Sequence, residues 1–228
     1  MNLLALETST EWCSVALLQG DRLSERSEQA PRRHAELVLP MAQALLDEAG
    51  LARGQLDGIA VGRGPGAFTG VRLGVAVAQG LAFALDLPVV PVSSLAALAM
   101  QAPADDALVA AVIDARMAEV YAGAFRWTPA GLVEPADAER VVAPQALTWP
   151  AAPAWSAIGS GWAAYPDELA ARLQPAPRWR DTDACPQARD VARLAAPLLR
   201  AGAGVAPQDA LPVYLRDKVA RTLAEQGR

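Results

Sequence analysis

Residues 4–18 read LALETSTEWCSVALL. Asn2 to Leu6 forms a short apolar strand, Glu7-Thr8-Ser9-Thr10 a polar turn, and Trp12 to Leu18 a second strand running back. The arrangement recurs further along the chain. Leu108 to Ile113 is a strand, Asp114-Ala115-Arg116 a turn, and Glu119 to Phe125 a returning strand. Glu7 and Asp114 are expected at equivalent ends of two similar hairpins, which points to an internal duplication.

Outward from the first hairpin, Arg33 to Ala49 places Leu37, Met41, Ala44 and Leu45 at helical spacing. Leu56 to Val61 is a buried-type strand, Gly62 to Thr69 a glycine-rich turn, and Val71 to Leu85 an apolar helix. Val89 and Val90 form another strand, after which Ser93 or Ser94 can cap a helix from Leu95 to Gln101. Proline use rises beyond Met100, and Gln101 to Asp106 is a polar connector. We therefore divide the chain into an N-terminal lobe, 1–102, which carries the glycine-rich turn, and a C-terminal lobe, 103–228. In the second lobe Ala154 to Ile158 is a strand, Gly159-Ser160-Gly161 a turn, and Trp162 to Leu173 and Gln187 to Ala201 are helices. Leu211 to Leu215 is strand-like, and a short charged helix ends the chain. Two lobes, each opened by a hairpin with an acid at its turn, form the pattern of the α/β, ribonuclease H-like architecture of actin-like ATPases and sugar kinases.

Composition narrows the function classes. A hydrophobic fraction of 53% and a charged fraction of 20% describe a chain with a real core. The apolar stretch Leu73 to Leu85 is too short to cross a bilayer and reads as a buried helix. The start MNLLALETST lacks a basic region and meets Glu7 early, so no signal peptide is expected. The two cysteines, Cys13 and Cys185, form no close pair, which fits a reducing, cytoplasmic setting. With a net charge of -5 and a pI near 5.0, the chain has no general attraction for phosphate backbones, so contact with nucleic acid must be local or come through a partner.

Gly62 to Arg72, GRGPGAFTGVR, is the strongest local signal. Glycines between a strand and a helix allow close backbone approach, and a helix start offers unpaired N–H groups. Such a turn can hold a phosphate or a partner's carboxylate, or serve only as a tight strand-to-helix connection. It is no Walker loop, since no two of its glycines stand five apart and no lysine follows. Glu7 stands where actin-like ATPases place a metal-holding acid, or it bonds the hairpin backbone; Asp114 is positioned to pair with Arg116. The single histidine, His34, leaves too few ligands for a catalytic zinc or iron and reads as a helix-entry residue. Ser160 lies in no G-x-S-x-G elbow and reads as a turn residue.

LALETST with CSVAL, GRGPGAFTGVR, PVSSLAALA, DARMAEVY and PVYLRDKVA, spread from Leu4 to Ala220, together resemble the bacterial TsaB family, formerly YeaZ. The resemblance implies the two-lobed actin-like fold and a part in making threonylcarbamoyladenosine in tRNA. In that pathway a larger paralogue, TsaD, is the catalyst, TsaB-type proteins pair with it or with themselves, and the ATPase TsaE joins them. It also implies that tRNA is met only through the complex, that no membrane is involved, and that this chain holds no cofactor alone, with ATP or ADP possible at the heterodimer junction. TsaD-type catalysts carry an H-x-x-x-H metal motif where this sequence has Ser94-Leu95-Ala96-Ala97-Leu98, so both ligating histidines are missing. Carried over, the partner-binding surface comprises Pro65, Gly66, Phe68, Thr69, Gly70, Arg72, Leu73 and Ala76, continued along the helix to Leu85. That helix's small residues either admit a partner helix or let it pack on its own sheet. Two other classes stay open. One is an ATPase or phosphotransferase with Glu7, Gly66, Gly159 and Gly161 at the nucleotide; the other is a glycoprotease-like metallopeptidase, which one histidine disfavours.

Overall fold

Strands β1 (Asn2–Glu7) and β2 (Trp12–Gln19) pair antiparallel, from Asn2 with Gln19 to Glu7 with Ser14. Their alternate side chains enter two different cores. Leu4, Leu6, Val15 and Leu17 face one core with α1 (His34–Ala49) and α2 (Phe68–Leu85), while Leu3, Ala5, Ala16 and Leu18 face another. A strand buried on both faces needs an unbroken apolar run, as both of these have. In this computed structural model, which describes Met1–Arg216, β4 (Gly58–Gly62) and β5 (Val89–Val92) continue in parallel beyond β1. β3 (Arg22–Gln29) closes the opposite edge, so the first sheet runs β3-β2-β1-β4-β5.

The second sheet repeats this plan. Its path is β8-β7-β6-β10-β11, built from β6 (Leu108–Arg116), β7 (Glu119–Trp127), β8 (Val133–Pro135), β10 (Trp155–Ile158) and β11 (Trp179–Asp181), with β9 (Arg140–Val142) beside β7. In both sheets a hairpin and a third antiparallel strand lie on one side of the leading strand, and two parallel strands lie on the other. The duplication is thus carried by strand order.

Residues 102 and 103 fall between the two sheets, yet each half of the chain lends a helix to the other. From the first half, α3 (Ser94–Ala99) buries Leu95 and Leu98 against Val109, Ala111 and Phe125 of the second sheet. From the second half, α6 (Ala188–Arg200) lays Ala188, Ala192, Ala195 and Ala196 on Ala5, Ala16, Ala60 and Val90 of the first. Small residues on both sides let this helix lie close to the sheet. Two of the free N–H groups at its start are taken by the first lobe: Ala188 N donates to Ser14 Oγ at 2.9 Å and Arg189 N to Glu25 Oε1 at 2.9 Å.

Five local expectations change. β3, RLSERSEQ, went unread because an exposed edge strand rich in charge shows no apolar alternation; charge on an edge also discourages pairing with another sheet. Trp162 to Leu173 is two short helices, α4 (Gly161–Ala164) and α5 (Pro166–Ala170), because Pro166 has no N–H to continue the first and suits the start of the second. The second hairpin turns at Arg116-Met117-Ala118, all left-handed, so β6 runs on through Asp114. Leu211 to Leu215 forms no strand, and the charged helix expected at the end of the chain lies outside the described residues. Helix α2 starts three residues earlier than its apolar run suggested. By length and composition alone its 18 residues, mean hydropathy 1.5, could cross a membrane; here one face of it packs on β4 and 33% of the helix is buried.

Asp190 is sealed beneath the first turn of α6, with Arg193 Nη1 3.1 Å from its Oδ1 and Arg189 beside it. Burial pushes its carboxyl up from 3.8 to about 6, against the pull of both arginines. Between those values the folded chain holds a proton that the unfolded chain has released, so this group lowers stability as pH rises from 3.8 to about 6. Asp190→Asn should therefore gain in melting temperature relative to the native chain between pH 4 and pH 7, by roughly 5 °C. A difference that stays flat over that range would show that Asp190 does not titrate there.

Candidate functional site

The glycine-rich turn and the β1–β2 turn form one packed unit. Leu6 pairs with Val61, which sets Glu7 beside Gly62. A Cβ at Gly62 would collide with the Glu7 carboxylate, at Gly66 with the Ser9 carbonyl, and at Gly70 with the Thr8 carbonyl. Hydrogen bonds complete the fit: Ala67 N donates to Ser9 O at 2.7 Å and Thr8 Oγ1 to Gly70 O at 2.8 Å. The volume left by the missing Cβ atoms, at the amino end of α2, is occupied by Thr8 and Ser9. Gly66 therefore meets the chain's own backbone rather than an open cradle.

Glu7 is fully enclosed. Its Oε1 accepts from Ser9 N at 2.6 Å and its Oε2 from Ser94 Oγ at 2.8 Å, yet burial outweighs these donors and pushes its carboxyl above the usual range. Ser94, which the resemblance sets against the first histidine of the catalysts' metal motif, is thus committed to Glu7. Leu98, in the place of the second, is buried with its side chain where a Gly159 Cβ would stand. A hydroxyl already bonded and an aliphatic side chain do not make a divalent-metal site, and the described residues contain no cluster of three or more His, Cys, Asp or Glu.

The second hairpin differs in detail. Ile158 pairs with Ala111, so Val112 rather than Asp114 is level with Gly159, and Asp114 stands two residues further out than Glu7 does. Its carboxylate accepts from Arg116 N at 2.9 Å and Nη1 at 3.0 Å, the local pair expected from spacing. Gly159 and Gly161 press on Val112, and Ser160 Oγ accepts from Asp114 N at 3.2 Å, so this turn also packs on its own strand. His34 Nε2 lies 3.0 Å from Thr10 O and 3.2 Å from Trp12 O, tying the start of α1 to the first turn.

The partner-binding candidates separate by direction. Phe68, Thr69, Arg72 and Ala76 are exposed, Leu73 and Gly66 half-buried, and Pro65 and Gly70 buried. The small residues of α2 divide as well: Gly74, Ala78 and Ala82 face the sheet, whereas Ala76, Gly80 and Ala84 face outward with Phe83, which is 81% exposed. Small residues thus occur on both faces, one set packed on the sheet and the other exposed.

A profile of the TsaD family, tRNA N6-adenosine threonylcarbamoyltransferase, matches residues 26–223. The tRNA threonylcarbamoyladenosine biosynthesis protein TsaB of Escherichia coli K12 is 37% identical over 229 residues, 96% of either chain. The solved structure of YeaZ from Pseudomonas aeruginosa is 46% identical, with a TM-score of 0.87 over 94% of this chain and 99% of that one. The chain belongs to the TsaB (YeaZ) family. With it comes the two-lobed actin-like fold, here seen as two sheets built on one strand plan.

One part of the site escaped the sequence. In this TsaB-family chain residues 211–216 cross from lobe to lobe. Val213 N donates to Arg63 O at 2.9 Å, Arg72 Nε to Tyr214 OH at 2.6 Å, and Arg216 Nη2 to Glu119 Oε2 at 2.6 Å and Ala115 O at 3.1 Å. Between this segment, the glycine-rich turn and Tyr121 remains a cavity of about 70 Å³, well below the several hundred a nucleotide-sized ligand occupies. The PVYLRDKVA tail was the only signal, and as a strand-like run it gave no hint of crossing between lobes.

Glycine substitutions separate the inner face of α2 from the outer. Gly70→Ala should destabilise the chain by about 2–4 kcal/mol, because the Thr8 carbonyl cannot withdraw. Gly80→Ala should stabilise it by about 0.5–1 kcal/mol, since a Cβ there meets nothing. Urea denaturation of both variants checks the pair, and equal effects would refute the division of faces.

Proposed function

We propose that this chain is the non-catalytic partner subunit of a tRNA threonylcarbamoyladenosine-forming complex, binding and supporting a TsaD-type catalyst. The observation that carries the proposal is the outer face of α2, where Phe68, Arg72, Ala76, Gly80 and Phe83 form an exposed stripe with small residues at its centre. Among the described residues Tyr214 packs on Phe68 and Arg72 at one end of that stripe, while Ala76, Gly80 and Phe83 stay exposed, and a Gly–Ala centre flanked by aromatic residues suits the close approach of a second helix. The names of the relatives place them in the same pathway. On this reading a TsaE-type ATPase joins the pair, the free chain covers the same stripe by forming a homodimer, tRNA is reached through the catalyst, and the assembly works in the cytoplasm. A nucleotide, if held, sits at the heterodimer junction, since Thr8 and Ser9 fill the space beside Gly66.

Adding the chain to the cognate TsaD-type subunit, TsaE-type ATPase and threonylcarbamoyl-forming enzyme should restore tRNA modification that is absent without it. Phe68→Glu should weaken the complex with the TsaD-type subunit more than tenfold, about 1.4 kcal/mol or more. Unchanged affinity would remove the glycine-rich turn from the interface, and no complex at micromolar concentration would overturn the proposal.

A further inference from the structure

Arg72 is held between Phe68 and Tyr214. Its guanidinium carbon lies 3.5 Å from the centre of the Phe68 ring and 5.3 Å from that of Tyr214, and the two rings stand 5.9 Å apart. Its Nε donates to Tyr214 OH at 2.6 Å. Tyr214 is itself fixed on both sides, through Val213 to Arg63 and through Arg216 to Glu119 and Ala115. Among the described residues no carboxylate pairs with Arg72, unlike Arg116, Arg189, Arg193 and Arg216, each of which meets one.

This is a built site rather than a loose surface cation. Phe68 stacks on the guanidinium and the tyrosine hydroxyl takes up Nε, which leaves the edge carrying Nη1 and Nη2 without a hydrogen-bond partner among the described residues. That edge receives a carboxylate through parallel N–H···O bonds, and a guanidinium already held in place surrenders little side-chain entropy on doing so. Phe68 and Tyr214, 45% and 48% exposed, supply an apolar rim that would keep water from such a pair.

We propose that Phe68 and Tyr214 clamp Arg72 as the receptor for an aspartate or glutamate side chain of the catalytic partner subunit, with Tyr214 as the positioning residue. The proposal rests on the reading that the outer face of α2 meets that subunit. It extends the surface from the helix to the C-terminal segment, which crosses the lobes in order to bring Tyr214 there.

The test is calorimetric titration of the full-length chain and three variants, Arg72→Lys, Tyr214→Phe and the double variant, into the cognate TsaD-type subunit, with melting temperatures as a check on folding. Lysine keeps the charge but loses the fork and the stacking, so Arg72→Lys should weaken binding by about tenfold or more. Tyr214→Phe keeps the ring and loses only the acceptor, and should weaken it roughly threefold to fivefold. The double variant should be no weaker than Arg72→Lys alone, because Tyr214 acts through Arg72. Native-like affinity in Arg72→Lys overturns the receptor. Additive losses, or an unaffected Tyr214→Phe, overturn the positioning role, and an effect confined to self-association overturns the choice of partner. If the native chain itself forms no complex, the partner-subunit reading falls and the clamp falls with it; if the native chain and Arg72→Lys bind alike, the clamp falls alone.

Discussion

Glu7, Thr8 and Ser9 occupy the volume that glycines 62, 66 and 70 leave open, and the positions of both lobes follow from that contact. Thr8 and Ser9 fix the amino end of α2 by a hydroxyl-to-carbonyl and an amide-to-carbonyl bond. Glu7 fixes α3 through Ser94, and α3 carries Leu95 and Leu98 into the core of the second sheet. The arrangement depends on a carboxyl group that no cation among the described residues pairs with. A charged carboxylate so enclosed would be costly, and two hydrogen-bond donors only partly offset the lost water, which is why burial raises its pKa. The contact is tight enough that neither side has room for a methyl group.

Several contacts join the lobes, and they differ in weight. Arg116 reaches Glu11 at 2.9 Å across the cleft, but both side chains are more than half exposed, and such a pair contributes about 0–1 kcal/mol. Ser93, which caps α3 by accepting from Ala96 N, donates to Glu139 of the second lobe, whose carboxyl is raised by burial against the pull of Ser93 and Arg63. The exchanged helices outweigh both. Leu95 and Leu98 alone are two fully buried leucines, worth about 1.5–3 kcal/mol each in apolar burial. Lobes joined through each other's cores do not hinge freely, and residues 211–216 close the remaining gap. A cleft so filled directs attention to the outer surface.

Much of this was legible in the chain because it is locally encoded. The two hairpins, the glycine-rich turn between a strand and a helix, and the serine cap of α3 announce themselves within a few residues. What fills the glycine-rich turn was not legible, since a phosphate, a partner or the chain's own turn all require the same missing Cβ; only the register of Leu6 with Val61 decides among them. The exposed face of α2 was hidden for a different reason. A helix apolar on all sides has no periodicity to read, so Gly74 and Gly80 look alike in sequence although one abuts Thr8 and the other meets nothing. The crossing of residues 211–216 and the return of α6 to the first sheet are long-range events. Their residues carry no local mark of where they go.

The two glycines also bear on why the outer face of α2 is built as it is. At Gly74 a side chain would strike Thr8, so the fold itself requires glycine there. At Gly80 the fold gains nothing, and glycine in a helix interior forfeits about 0.5–1 kcal/mol relative to alanine. Phe83, on the same face, leaves most of a large apolar ring in water. Both residues disfavour the isolated chain, one through the unfolded state and the other through hydration, and among the described residues neither loss is recovered. Against a second helix both change sign: the glycine becomes the point of closest approach and the ring becomes buried area. A surface that weakens the free chain in two independent ways makes physical sense as one half of the proposed interface, to which the stacked Arg72 at its amino end would give a polar edge.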